Sequence, residues 1–364
     1  MKHRRLLINA SRVSGSGGLH TFTASLASCF GDTKDIYILS PQGVDLGSNL
    51  NEVRVPEWVG SSSRVSRLRP LLWFLYSVLA RNGREYQFVL STTHHALPDA
   101  KHQVITIHDI RPYFYPDSWI QHVNFKFLLP RAIRRCDGVL TVSQSSRSLI
   151  ASTYRIPMDN IYVVPNVIDS LYYSPAYAQT MTDPFLLCIG STWKHKNTIE
   201  LLDMAKYWAN RFRLKIVAGE GGYLNTLKKR VDDLDLTRRV TFLTQVTKAE
   251  IRDLYRGCAA LIYPSLMEGF GLPPLEAMAC GRPVIVSDIP VFRELYGDIP
   301  IYVRLGEPDT WSEAFAALES FSDRQVQAGI ELAKSFSQER MRDAFFTALH
   351  QIWKFNPQGN EQWK

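Results

Sequence analysis

The 364-residue chain lacks the features that would tie it to a bilayer interior, a disulfide framework or a hydride-transfer site. No stretch approaches the ~20 apolar residues of a membrane-spanning helix; the longest, residues 71–80, falls well short. The basic N-terminus KHRRLLINASR loses its apolar character too early for the hydrophobic region of a signal peptide. Its cysteines, Cys29, Cys136, Cys188, Cys258 and Cys280, are scattered without a C-x-x-C pair, which predicts reduced core thiols and a cytoplasmic protein. The turn GSGGLH holds Gly15, Gly17 and Gly18 but misses the third glycine of the G-x-G-x-x-G fingerprint, so dinucleotide chemistry is disfavoured. Solenoid repeats and low-complexity tracts are absent. Aromatic residues do not interleave with one basic face, which argues against nucleic acid as a partner.

What is present describes a globular α/β protein. The chain is longer than one hydrophobic core usually supports, so two domains are expected. Lys and Arg number 42 against 35 acids, and the surplus of +7 suits an anionic partner. Short apolar runs alternate with helical patterns throughout, which predicts two parallel, doubly wound sheets. The expected strands are 5–10, 35–40, 87–92, 103–109, 138–143 and 161–166, then 185–190, 214–219, 240–246, 260–265, 283–288 and 299–305. Residues 167–184 lack periodicity and carry Ser, Pro and Asp, which marks a linker. Ligands are then expected beyond the C-terminal strand ends, in a cleft between the domains.

Residues 265–290, SLMEGFGLPPLEAMACGRPVIVSDIP, are the most specific segment. Glu268 and Glu276, with seven residues between them, bracket a Gly-Phe-Gly turn that opens into a helix from about Pro273 to Cys280. Such a turn offers backbone N–H groups and the positive end of the helix dipole to an oxyanion. The two carboxylates suit paired hydroxyls of a sugar or ribose, though for an isolated pair of acids a solvated helix start is the better reading.

Other positions carry weaker signals. His108 and Asp109 end a predicted strand in VITIHDIRPYFYPD, where a His at a strand end points to a cleft mouth; Asp109 capping a turn is the plainer alternative. In CIGSTWKHKNTIELL, Lys194 and Lys196 flank His195 at a turn between strand and helix, so two ammonium groups are expected to converge there. Residues 63–84 combine five arginines with Trp73, Phe74 and Tyr76. That pattern fits either a helix on an anionic bilayer surface or one packed on the first sheet with snorkelling ends.

Together these segments resemble the retaining glycosyltransferase family 4 of the GT-B fold, most closely over 185–305. The resemblance implies two Rossmann-like domains facing a cleft. These would be an acceptor domain over 1–170, a nucleotide-sugar domain over 171–340, and a terminal helix over 341–364 returning to the first. It implies a donor site of Gly17, Gly18, Lys194, Lys196, Gly219, Val246, Glu268, Gly269, Phe270, Gly271, Leu272 and Glu276. His108, Lys196 and Glu268 would be catalytic: His108 near the reacting end of the donor sugar, Lys196 on the diphosphate, Glu268 on the sugar hydroxyls. Glu276 would hold the ribose. Many members place an Arg directly after the glycine of the basic segment, where this chain has Ser191. No metal or cofactor is implied. The nearest likeness is to bacterial mannosyl- and rhamnosyltransferases of surface-polysaccharide assembly, which implies GDP-mannose as donor and a glycan acceptor on a polyprenyl diphosphate. The protein would then lie in the cytoplasm or on the inner face of its membrane. An epimerase of the same fold, or a non-catalytic member, is the alternative.

Overall fold

A computed structural model of the protein describes residues 4–15, 17–31, 35–56, 76, 82–175 and 183–354. The arginine-rich segment therefore falls almost wholly outside the described residues. The chain divides into two compact units, Met1–Val167 with Gln338–Lys364, and Ile168–Ser337.

The first unit is built on seven parallel strands in the order β3-β2-β1-β4-β5-β6-β7. They are β1 (Arg4–Asn9), β2 (Ile36–Pro41), β3 (Asn51–Val55), β4 (Tyr86–Ser91), β5 (Gln103–Thr106), β6 (Gly138–Thr141) and β7 (Ile161–Val163). β5 and β6 are buried along their whole length, as expected where helices cover both faces of a parallel sheet. Register is fixed by pairs such as Leu7 with Tyr37 on one side and Val89 on the other. The C-terminal helix Gln338–Trp353 belongs to this unit's core. Phe345 meets Phe30 edge-on at 5.5 Å, and the Trp353 indole N–H donates to Asp137 at 2.7 Å.

The second unit carries six parallel strands in the order β10-β9-β8-β11-β12-β13: β8 (Phe185–Ile189), β9 (Arg213–Val217), β10 (Val240–Leu243), β11 (Ala260–Tyr263), β12 (Val284–Ser287) and β13 (Ile301–Val303). Its core is centred on the buried Trp208, Trp311 and Phe315.

Twelve of the strands fall on the predicted apolar runs, mostly one to three residues shorter, because the runs end in Gly, Pro or polar residues that leave the ladder. The thirteenth, β3, was not expected. Its sequence NEVRV is polar and mostly exposed, and it survives as a sheet edge paired on one side only. Residues 168–175, expected as linker, fold onto the second unit: the Ile168 amide donates to Phe336 O at 2.9 Å, and Tyr173 is buried.

Both strand orders reverse direction at one place, between β1 and β4 in the first unit and between β8 and β11 in the second. Loops leaving the carboxyl ends of the strands diverge there and leave a crevice, the usual ligand position in an open parallel sheet.

Candidate active site

In the second unit the switch point brings together the two segments richest in sequence signal. Gly190, with φ +80°, turns the chain out of β8, and the aliphatic stem of Lys196 lies 3.4 Å from where a Cβ on Gly190 would be. A short 3-10 turn, Lys194–Lys196, ends at Asn197, which is left-handed at φ 54°. Asparagine tolerates that conformation better than most residues. Asn197 is pinned by donating to Glu200 at 2.6 Å, and Glu200 in turn accepts from the Trp311 indole at 3.1 Å. The loop is thus anchored to the core tryptophan.

This geometry separates the two lysines. Lys194 is exposed, whereas Lys196 turns inward and donates to Glu268 Oε1 at 2.6 Å and to Tyr263 Oη at 2.5 Å. The expected convergence of two ammonium groups is not seen; the one shared centre is Lys196 with Glu268. The Lys196 and Glu268 side chains are only 14% and 11% exposed. An ammonium has three donors, so one remains for a substrate oxygen. Burial alone would raise the Glu268 carboxyl, but Lys196, with help from His195, holds it below its ordinary value. Ser191 is buried and shares a hydrogen bond with Thr198 at 2.7 Å, so it takes no part in the charge.

The turn after Glu268 rests on an aromatic shelf. Gly271, at φ +102°, precedes the helix Leu272–Ala279, and a Cβ there would collide with Tyr296 Oη and Phe292. Tyr296 donates to Gly271 O at 2.6 Å and stacks on Phe292, whose ring is 6.0 Å from that of Tyr263. Pro273 and Pro274 have no N–H, so Leu272 alone of the first three helical positions can donate to an anion, beside the amides of Gly269, Phe270 and Gly271. The Phe270 side chain is buried, edge-on to Phe336 at 5.3 Å.

Glu276 sits one helical turn further on and accepts from Tyr255 Oη at 2.7 Å. Burial raises its carboxyl, opposed by hydrogen bonds from Tyr255 and Tyr173. These two tyrosines meet edge-on at 5.9 Å, and Tyr173 comes from the folded part of the expected linker. Sequence reasoning missed Tyr173, Tyr255 and Tyr263, whose aromatic character reads as core. Gly219 packs closely on Thr192, to whose Oγ1 it donates at 2.7 Å, and Val246 is half-buried beside the capping box of the helix Lys248–Gly257. One Asp-x-Asp triplet, Asp233-Leu234-Asp235, lies at the end of the helix Gly222–Asp233 rather than at a strand end. Among the described residues no cluster of three or more His, Cys, Asp or Glu side chains is arranged to hold a metal ion.

In the first unit the switch point gathers histidines. His108 lies two residues beyond the end of β5, bonded to Thr92 O at 3.0 Å with its ring 4.6 Å from Phe22. Burial pushes its imidazole down to about 4, and that of His94 likewise. The His94 ring lies tilted against that of His95 at 4.1 Å, and the His95 backbone carbonyl accepts from Asn9 at 3.0 Å, so the loops after β1 and β4 are tied together. The pair His94–His95, unremarked in the sequence, is the additional signal here. Asp109 caps a turn by accepting from the Arg111 amide at 2.9 Å, its plainer role. Gly17, at φ +91°, and Gly18 open the helix Gly18–Ser28 without a side-chain cap.

Comparison with known proteins places these features. Residues 173–336 match the family described as Glycosyl transferases group 1, and residues 16–170 match Glycosyltransferase Family 4. The O-antigen chain mannosyltransferase RfbU of Salmonella typhimurium is 38% identical over 329 residues, covering 87% of this chain and 92% of the relative. The lipopolysaccharide core biosynthesis mannosyltransferase LpsB of Rhizobium meliloti is 32% identical over 51% of this chain and 54% of its own. The crystal structure of Anabaena HepE in complex with UDP and glucose superposes with a TM-score of 0.74 at 18% identity, covering 95% of this chain and 99% of that one. At that identity it speaks for the shared GT-B fold. With two parallel-sheet units, a charged pair at the second switch point and a relative matched over most of its length, the chain belongs to glycosyltransferase family 4.

Proposed function

We propose that the protein transfers mannose, with retention of anomeric configuration, from GDP-mannose to a hydroxyl of a lipid-linked glycan in surface-polysaccharide assembly. The observation that carries the chemistry is the buried Lys196–Glu268 pair beside the Gly271 turn. The O-antigen and core mannosyltransferases among its relatives support the donor and the pathway class. In the reaction the bond from the anomeric carbon to the β-phosphate oxygen breaks, and the acceptor oxygen attacks the same face. The acceptor proton passes to the leaving phosphate oxygen. Lys196 and the Gly269–Leu272 amides stabilise the charge that develops there, where preorganised donors contribute most. They do the work a divalent ion does elsewhere, so the reading is metal- and cofactor-independent. Glu268 holds sugar hydroxyls and Glu276 the ribose.

Titration calorimetry tests the donor site. GDP-mannose should bind more tightly than UDP- or dTDP-sugars, and Glu276→Ala should weaken it by about 1.5–3 kcal/mol, the worth of a charged hydrogen bond. Equal binding by the folded variant removes Glu276 from the site.

A further inference from the structure

We propose that Tyr255 and Tyr173 are positioning residues of the nucleotide site: two buried hydroxyls that fix the plane and the charge of the Glu276 carboxylate, so that it meets both hydroxyls of a ribose. The assignment rests on Glu276 holding the ribose, as proposed above. Tyr255 is fully buried while Glu276 is half-buried, and the tyrosine hydroxyl donates to Glu276 Oε2 at 2.7 Å. A phenylalanine would fill the same space without taking a hydroxyl out of water, so the use of the hydroxyl lies in the carboxylate it meets. Tyr173, also buried, hydrogen-bonds to the same carboxyl. A carboxylate offers about four acceptor sites on its oxygens. With the tyrosines bonded its plane no longer turns freely, and the sites left over suit the vicinal 2′- and 3′-hydroxyls.

One helix sets both tyrosines. Lys248–Gly257 carries Tyr255 and, at spacings of four along one side, Lys248, Arg252 and Arg256. Those cations grip the segment that delivers Tyr173. Arg256 donates to Ser174 O at 2.8 Å and to Ser174 Oγ at 3.1 Å, while Lys248 and Arg252 lie over the Tyr172 ring, 4.4 and 4.9 Å from its centroid.

The surroundings decide the charge. Burial raises the Glu276 carboxyl, and the hydrogen bonds from Tyr255 and Tyr173, with the Lys248 ammonium, lower it. The other titratable neighbours, Tyr263 on β11 and Cys280 at the end of the same helix as Glu276, are kept protonated chiefly by burial. β12 brings no titratable group, and the helix Asp323–Ser335 packs here through Gly329 on Met278 and Ile330 on Gly281. Without the tyrosines only the exposed Lys248 would oppose burial, and Glu276 would take up a proton closer to neutral pH. A protonated carboxyl gives up acceptor capacity that the second ribose hydroxyl needs.

Calorimetry with GDP and 2′-deoxy-GDP tests the assignment, with UDP and 2′-deoxy-UDP beside them so that the result does not hang on the base. Wild type should prefer the ribonucleotide. Tyr255→Phe, which keeps the ring, should bind it about tenfold more weakly, the worth of one hydrogen bond to a charged group, and should prefer it less over the deoxynucleotide. On acidification its affinity should fall at a higher pH than that of wild type, a shift that lost packing would not produce. Added to Glu276→Ala, Tyr255→Phe should cost no further affinity. Tyr173→Phe should move each readout the same way, and it serves if Tyr255→Phe does not fold. Should Glu276→Ala leave ribonucleotide affinity unchanged, the ribose reading fails and this assignment with it. Should Glu276→Ala weaken binding while both tyrosine variants keep the wild-type ribose preference and pH profile, the tyrosines merely pack, and this assignment alone is overturned. Equal losses from Tyr255→Phe with and without the Glu276 carboxylate would overturn it too.

Discussion

Lys196 and Glu268 depend on each other, and removing one leaves the other buried and unpaired. Lys196→Met keeps the stem against Gly190 but strands the carboxylate, so the variant should lose about 3–5 kcal/mol in urea melts, whereas adding Glu268→Gln should restore much of it. Turnover should stay low in both, because the developing phosphate charge has lost its cation; recovery of turnover with stability would make the pair structural only. The histidines give a pH signature. His94 and His108 titrate at about 4 in the folded protein against an ordinary 6.5, so between those values the unfolded chain binds more protons. Stability is therefore full above about pH 6.5, falls as pH drops and levels off below about 4. His108→Asn should flatten that limb of a plot of Tm against pH, by an effect on the order of 3 kcal/mol. An unchanged limb would mean that the imidazole is not held neutral. At this scale the sequence revealed the charged residues but not their partners: the inward turn of Lys196 depends on Asn197 in a left-handed conformation, and Tyr255 looks like any core aromatic until Glu276 is found against its hydroxyl.

Elements were the most legible level. A strand buried on both faces must be apolar without alternation, so β5, β6, β8, β11 and β12 announce themselves, while the edge strand β3 does not. The helix Leu272–Ala279 was legible from Pro273, Pro274 and Gly281 to within one residue at each end. The folding of 168–175 onto the second unit was not, because the segment is held by partners distant in sequence: the Arg256 guanidinium donates to Ser174 O at 2.8 Å, and Tyr173 hydrogen-bonds to Glu276. The turn before the helix carries its own test. Gly271→Ala adds a methyl where Tyr296 and Phe292 already stand, at a φ that side chains avoid. It should cost on the order of 1–3 kcal/mol and displace the amides proposed to hold the phosphate. Tm and donor affinity should fall together; a drop in neither would show that the turn has room to spare.

For the whole molecule, strand order does what no single motif can. Each unit reverses its sheet once, and the Lys196 loop and the Glu268 turn leave the strands that flank the reversal in the second unit, β8 and β11. The family match explains why the sequence carries this signal so strongly over 265–290, and the relatives fix the class of reaction to glycosyl transfer. The central claim, hexosyl transfer from a nucleoside diphosphate sugar without a metal, is tested most directly by incubating the purified protein with GDP-[14C]mannose and lipid-linked acceptor in EDTA. The account predicts label in the organic-extractable lipid fraction, as an α-linked mannoside, and its loss in Lys196→Met. Conversion of the donor alone to an epimer, or transfer that EDTA abolishes and magnesium restores, would contradict it.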